Sequence, residues 1–301
     1  MNEILKNFLN DKDIKNIFNS YIYEFMHMIS KSKKLNNKTI YINIKYIEMF
    51  DRYLYYFYPN ATVTDINEYH VEMYKDFCVH QLKNTNKTIN KKLKALNRFF
   101  SHLTDKGLYQ YNFMLNIRHL KNEEEHSPTI MSTSEIRILF SQMRQYIYGI
   151  RDVCICKLIL QTGLNIHDIL NICLDHISLS EKTVFITFKN KEKKIYSLSD
   201  SLINELYNYL ELRTTFDSNC SPYLFLSKRG NKYSIRSYQM FFDEAVRRCD
   251  FKIAYTPRNL RSTFLYNMSL LVEDSKLQEI AGQQTVKQYY ELHLNPLRNI
   301  I

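Results

Sequence analysis

Apolar residues recur every three or four positions in four successive runs, and that repeat commits the N-terminal part of the chain to helices. The first run, Ile14 to Ser30, sets Ile17, Phe18, Tyr21, Phe25, Met28 and Ile29 at helical spacing. A second opens at Asn37-Lys38-Thr39 and continues through Ile44, Ile47, Phe50 and Leu54. The third begins near Asp65 or Asn67, either of which offers a capping side chain, and carries Val71, Tyr74, Phe77 and Leu82. The fourth runs from about Thr88 to Asp105 with Leu93, Leu96, Phe100 and Leu103 inward, and Gly107 stands where a helix-ending glycine belongs. Short connections between such helices make a small bundle. Five Gly and five Pro in 301 residues agree, and argue against a β-sandwich or a collagen-like chain.

Lys121 to Thr129 is polar and charged and contains Pro128, which reads as a linker. The expected organisation is therefore a helical domain over 1–120, a linker over 121–130 and a second domain over 131–301. In the second domain Ser132 or Thr133 caps a helix with Glu135 in its first turn. An apolar helix follows from about Arg151 to Gln161, then Thr162-Gly163-Leu164 and a short helix. Residues 183–188 and 194–198 alternate in the manner of strands, and the charged stretch Lys189 to Lys193 turns between them, a β-hairpin signal. Leu224-Phe225-Leu226 reads as a further short strand, and the chain from Ser234 onward reads as helices. The fold class is mostly α with a small β-sheet.

The formal charge is +10. A surplus of this size suits a polyanion, because each Lys or Arg set against a phosphate releases a counterion; it also accompanies the Lys-, Asn- and Ile-rich usage of AT-rich genomes. On the fourth helix Lys91, Lys94 and Arg98 share one face, with Lys92 beside them, and the opposite face is apolar. Such a stripe either tracks a phosphate backbone or is a solvated helix face. The six cysteines form no CxxC pair and no His/Cys cluster of zinc-finger spacing, so a metal site is not expected and a reducing cytoplasm is the simplest setting. The first residues are charged and hold no apolar run, unlike a signal peptide. No apolar stretch reaches the roughly 18 residues that a membrane helix needs.

Four segments together resemble one family. Residues 88–112 (TINKKLKALNRFFSHLTDKGLYQYN) look like the last helix of the SAM-like core-binding domain of tyrosine recombinases, the phage integrase family. Residues 158–177 (LILQTGLNIHDILNICLDHI) resemble that family's first catalytic box, TGLRxSEL. Residues 255–264 (YTPRNLRSTF) resemble its second, TPHxLRHTF, and residues 277–292 (LQEIAGQQTVKQYYEL) its terminal LGH…Y segment. The order is that of the family, with the hairpin between the first two boxes. The resemblance implies an N-terminal DNA clamp, a catalytic domain of the tyrosine recombinase type, double-stranded DNA as partner and a homo-oligomer on that DNA. It implies no cofactor, no metal, no membrane and no small-molecule substrate.

It also implies a site. In the family a tyrosine attacks a phosphodiester, two arginines and a His or Lys stabilise the charge on the non-bridging oxygens, and a hairpin lysine protonates the leaving 5′ oxygen. Carried over, Lys189 takes the place of the hairpin lysine, Arg261 that of the second-box arginine and Asp168 that of the first-box acid. Tyr289 aligns with the nucleophile, and Tyr290 beside it is the other candidate. The departures are as informative. Asn165 replaces the first-box arginine, Arg258 the second-box histidine, Ser262 the next histidine and Gln283 the histidine after Gly282. Loss of a charged clamp on a transferring phosphoryl group costs on the order of 10³ to 10⁵ in rate. Three readings follow: an active recombinase with an unusual pocket, an atypical conjugative relaxase of the same fold nicking a transfer origin, and a DNA-binding relative that has lost cleavage.

Overall fold

A computed structural model describes residues 17–32, 35–121, 127–187, 193–217, 220–282 and 286–294. The chain divides into two compact units, Met1–Glu125 and His126–Ile301. The expected linker lies at this division, and residues 122–126 of it fall outside the described residues.

The first unit holds helices α1 (Asn19–Lys31), α2 (Asn37–Phe57), α3 (Glu68–His80) and α4 (Asn86–Asp105). Short polar side chains start three of them. Asn36 accepts from Thr39 N–H at 2.8 Å, Asn67 caps α3, and Thr85 caps α4. Asp65, the other candidate cap for α3, instead closes a capping box with Thr62 over a single 3-10 turn. Gly107 (φ +78) ends α4: its own N–H reaches Thr104 O, and Leu108 N–H reaches Leu103 O, the two bonds of a Schellman motif. Helix α1 has no local side-chain cap. The buried Asp51 of α2 substitutes, accepting the N–H groups of Ile17 and Phe18.

Interlocked aromatic rings fill this core. Phe18 meets Phe99 edge-on at 5.3 Å, and Phe50 meets Tyr74 at 5.1 Å. One face of α1 differs from expectation. Ile22 is buried and Met28 is 41% exposed. Phe18, Ile22, Phe25 and Ile29 step by four, three and four along one stripe, and Met28 lies one residue round from it.

The second unit opens with α5 (Thr133–Arg144), capped by Ser132 in a capping box with Glu135. Helix α6 (Gly149–Thr162) runs through the middle and buries Val153, Cys154, Ile155 and Leu158, which is why its sequence is apolar almost all round. A short helix α7 (Ile166–Ile169) leads to an antiparallel sheet of β1 (Ile177–Ser178), β2 (Thr183–Thr187) and β3 (Lys193–Ser197) in that order, with Val184 opposite Tyr196. Then come α8 (Asp200–Thr214), α9 (Ile235–Arg248), α10 (Pro257–Ser269), α11 (Asp274–Ala281) and α12 (Lys287–Leu294). The strand expected at Leu224-Phe225-Leu226 is not part of the sheet, and only isolated bridges flank it. Side chains of α8 take up its backbone instead. Tyr209 OH donates to Leu224 O and accepts from Leu226 N–H, both at 3.0 Å, and Arg213 donates to the carbonyls of Ser221, Tyr223 and Leu224.

Candidate functional site

Helix α10 begins with Thr256 in a capping box with Asn259, and Pro257 pre-set at its first position. This start places Arg258 and Arg261 one turn apart. Arg261 is partly buried. Its Nη1 donates to Gly163 O and its Nη2 to Ala281 O at 2.5 Å. Both carbonyls stand at helix C-termini, of α6 and of α11, where the helix dipole is negative and a cation is favoured. Burial pushes the Arg261 guanidinium below its ordinary pKa; nearby Tyr289, Asp168 and Tyr196 pull it back up, and Arg258 adds a like charge. Gly163 is needed twice over. Its φ is +64, and a Cβ there would lie 2.3 Å from the Phe264 ring of α10.

Asn165, in the place of the missing arginine, is the cap of α7. Its Oδ1 accepts from Asp168 N–H at 3.0 Å, and its Nδ2 donates to Asp168 Oδ2 at 2.5 Å. The two tyrosines are separated. Tyr289 is 5% exposed and packs with Leu265, Leu277, Ala281 and Val286, on the Arg261 side. Tyr290 gives its hydroxyl hydrogen to Val272 O at 2.7 Å, and burial together with Asp274 and Glu273 raises its pKa. Ser262 is buried in the helix interior. Lys189 and Gln283 lie outside the described residues.

Two residues of β3 were missed. Tyr196 reaches the Arg261 field, and Lys194 pairs with Glu279 of α11 at 3.6 Å. Their i, i+2 spacing in a strand, which puts both on one face, was the available signal.

On α4, Lys91, Lys94 and Arg98 are exposed, and Lys87 one turn earlier extends the row. Lys92 is a correction. It is 3% exposed, so it is no part of a phosphate-contacting face. Its Nζ donates to Asn84 Oδ1 at 2.6 Å and lies 3.4 Å from Cys78 Sγ and 5.6 Å from the Tyr74 ring centroid. In the second unit a turn after Leu226, closed by Ser227 N–H to Asn231 O at 2.7 Å with Gly230 at φ +75, exposes Lys228 and Arg229, and Arg236 is exposed in the first turn of α9. The run SKRGNK between buried Leu226 and Tyr233 was the sequence sign of this second basic surface.

Among the described residues, Cys173, Asp175 and His176 stand close enough to share an ion. The His176 ring is otherwise committed. Its Nδ1 accepts Cys173 N–H at 3.3 Å, which leaves the proton on Nε2, 3.7 Å from Asp175. A metal-bound histidine normally donates from its second nitrogen, so this arrangement is a capped turn. No described helix is long and apolar enough to cross a membrane.

The first unit is thus a helical bundle, and the second is mostly helical with a small sheet, its Arg261 within electrostatic reach of Tyr289 and Asp168. The phage integrase family profile matches residues 129–294, over half of the chain, and the chain belongs to that family, the tyrosine recombinases. It is similar to the tyrosine recombinase XerC of Bacillus subtilis (strain 168), at 23% identity over 297 residues covering 93% of this chain and 94% of that protein. XerC of Bacillus pumilus (strain SAFR-032) is 25% identical over 211 residues, 67% of this chain and 68% of the relative. Among solved structures, a lambda integrase tetramer bound to a Holliday junction superposes with a TM-score of 0.72 at 14% identity, covering 95% of this chain and 80% of that one. XerH bound to a palindromic difH substrate, a post-cleavage complex, gives 0.68 at 14%, covering 96% and 98%. These structures establish the fold.

Proposed function

We propose that this chain binds double-stranded DNA as a homo-oligomer and cleaves and rejoins strands through a 3′-phosphotyrosine on Tyr289. The supporting observation is the setting of Arg261, anchored on two helix-end carbonyls within electrostatic reach of Tyr289 and Asp168. In this reading the Tyr289 hydroxyl gives up its proton to solvent as its oxygen attacks the scissile phosphorus, and the bond to the 5′ oxygen breaks. Arginine stabilises the charge gathering on the non-bridging oxygens. Lys189 gives the departing 5′ oxygen its proton. Rejoining is the reverse: the 5′ hydroxyl attacks the phosphotyrosine and Tyr289 leaves. Lys87, Lys91, Lys94 and Arg98 of the first unit and Lys228, Arg229 and Arg236 of the second supply phosphate contacts. DNA as the partner draws support from the DNA-bound lambda integrase and XerH structures. The relaxase reading draws none from these relatives.

The test is covalent capture. Duplexes that the protein retains from a random pool are nicked beside each candidate scissile position, and adducts are resolved on a denaturing gel. An adduct that vanishes in Tyr289→Phe and persists in Tyr290→Phe is the expected result. The reverse pattern reassigns the nucleophile. Intact binding with no adduct at any position leaves the DNA-binding relative that has lost cleavage. One observation favours that second reading: Tyr289 is packed in the core, so attack requires it to be uncovered on DNA.

A further inference from the structure

Helix α10 carries two arginines on one face, since Arg258 and Arg261 stand at i and i+3. Their surroundings differ. Arg261 has two N–H groups committed to the carbonyls of Gly163 and Ala281, which fixes its plane and leaves its remaining donors for a ligand. Arg258 is exposed in the first turn of the helix, where unpaired backbone N–H groups also favour an anion. Asn165, two residues past the Gly163 carbonyl that Arg261 grips, is spoken for. Its carbonyl oxygen caps α7, one amide hydrogen holds Asp168, and it carries no charge. A neutral amide locked in a cap does not replace a guanidinium, which is permanently charged and forked to grip two oxygens.

We infer that both arginine clamps on the scissile phosphate come from α10, with Arg258 in the role left vacant at Asn165. This rests on the cleavage reading above. The pocket keeps two guanidinium groups, but one has moved from the α6–α7 turn to the start of α10. Arg258 then touches a non-bridging oxygen directly and acts as a catalytic residue. Asp168, freed from holding a first-box arginine, serves as the partner of Asn165 and as a counter-charge to Arg261.

The experiment compares adduct formation on two nicked duplexes, one with an ordinary scissile phosphodiester and one with a methylphosphonate there. The methylphosphonate lacks one charged oxygen, so a clamp for that charge has little to act on. Arg258→Ala should slow capture of the phosphodiester about 10²- to 10³-fold, and capture of the methylphosphonate less than about tenfold. DNA affinity should fall by less than about tenfold, the loss of one phosphate contact among many, and melting temperature should stay at the wild-type level. Adding Asn165→Arg to Arg258→Ala should recover at least about tenfold on the phosphodiester. Equal losses on both substrates overturn the inference, as does a phosphodiester loss under about threefold. If the wild type leaves the methylphosphonate uncut, recovery by Asn165→Arg decides, and its absence overturns the inference. A wild type that forms no adduct on either duplex, or an adduct that survives Tyr289→Phe, instead defeats the cleavage reading and this inference with it.

Discussion

Helix α4 buries one cation and exposes others, helix α10 half-buries one and exposes one, and the contrast between Lys92 and Arg261 separates structure from chemistry. Lys92 of α4 sits among an amide, a thiol, a thioether and an aromatic face, and burial pushes its pKa down. Nothing in that setting favours the charge strongly, and the ammonium points into the core. Arg261 of α10 is also pushed down by burial, but two helix-end carbonyls hold it, and Asp168 and Tyr289 pull it back. Its partners accept hydrogen bonds from the cation and fix the plane of the guanidinium. Burial of a cation thus says little by itself; the character of its partners says whether the charge is tolerated or used.

The sharpest way to break the comparison is Arg261→Lys. A lysine keeps the charge and loses the fork, so it cannot bridge Gly163 and Ala281 while facing a phosphate. Adduct formation on nicked duplex should fall by about 10³-fold while duplex binding survives. Near-wild-type capture would mean that Arg261 is a structural tie like Lys92.

The next effect concerns the exposed cations. Changing Lys91, Lys94 and Arg98 together to Ala should weaken binding to every duplex about 10- to 100-fold near physiological salt. It should also flatten the log–log salt dependence by about two to three units. Fluorescence anisotropy across a salt series measures both. An unchanged slope would make the row a solvated face.

Much of this was legible in the sequence because it is local. Caps such as Asn67, Ser132 and Gly107 act within a few residues, and the bundle and the hairpin declare themselves by period. Lys92 was also legible in principle. It stands three residues after Ile89 and four before Leu96, both buried, so the wheel already put it on the apolar side. The α10 anchors were not. Arg261 reaches Gly163 across 98 residues of sequence and Ala281 across 20. No periodicity reports such pairings. Likewise the character of Asn165 as a committed cap, and the split between Tyr289 and Tyr290, needed the positions of Asp168 and Val272. The family boxes named candidate positions, and the geometry says what each described one touches.

The smallest effect tests the other side of the comparison. Lys92→Met keeps the volume and removes the charge. If the ammonium is a structural burden, duplex affinity and adduct formation should stay within about twofold of wild type. Stability should change in a pH-dependent way. The folded pKa of Lys92 is depressed, so between that value and the ordinary lysine value near 10.4 the unfolded chain binds more protons than the folded one. Wild-type stability therefore gains from Lys92 as pH rises through that window, and the methionine variant lacks this gain. Cys78, whose thiol burial pushes up, titrates with the opposite sign, because the unfolded thiol loses its proton first. Removing Lys92 also removes its pull on the thiol, so Cys78 is pushed up further in the variant, and that extra loss of stability with rising pH adds to the same trend. Urea unfolding at a series of pH values should then show any advantage of Lys92→Met shrinking steadily as pH climbs. An advantage that stays flat, or a variant that loses DNA binding, would show that the Lys92 ammonium is wanted where it lies, and would put α4 and α10 on the same footing.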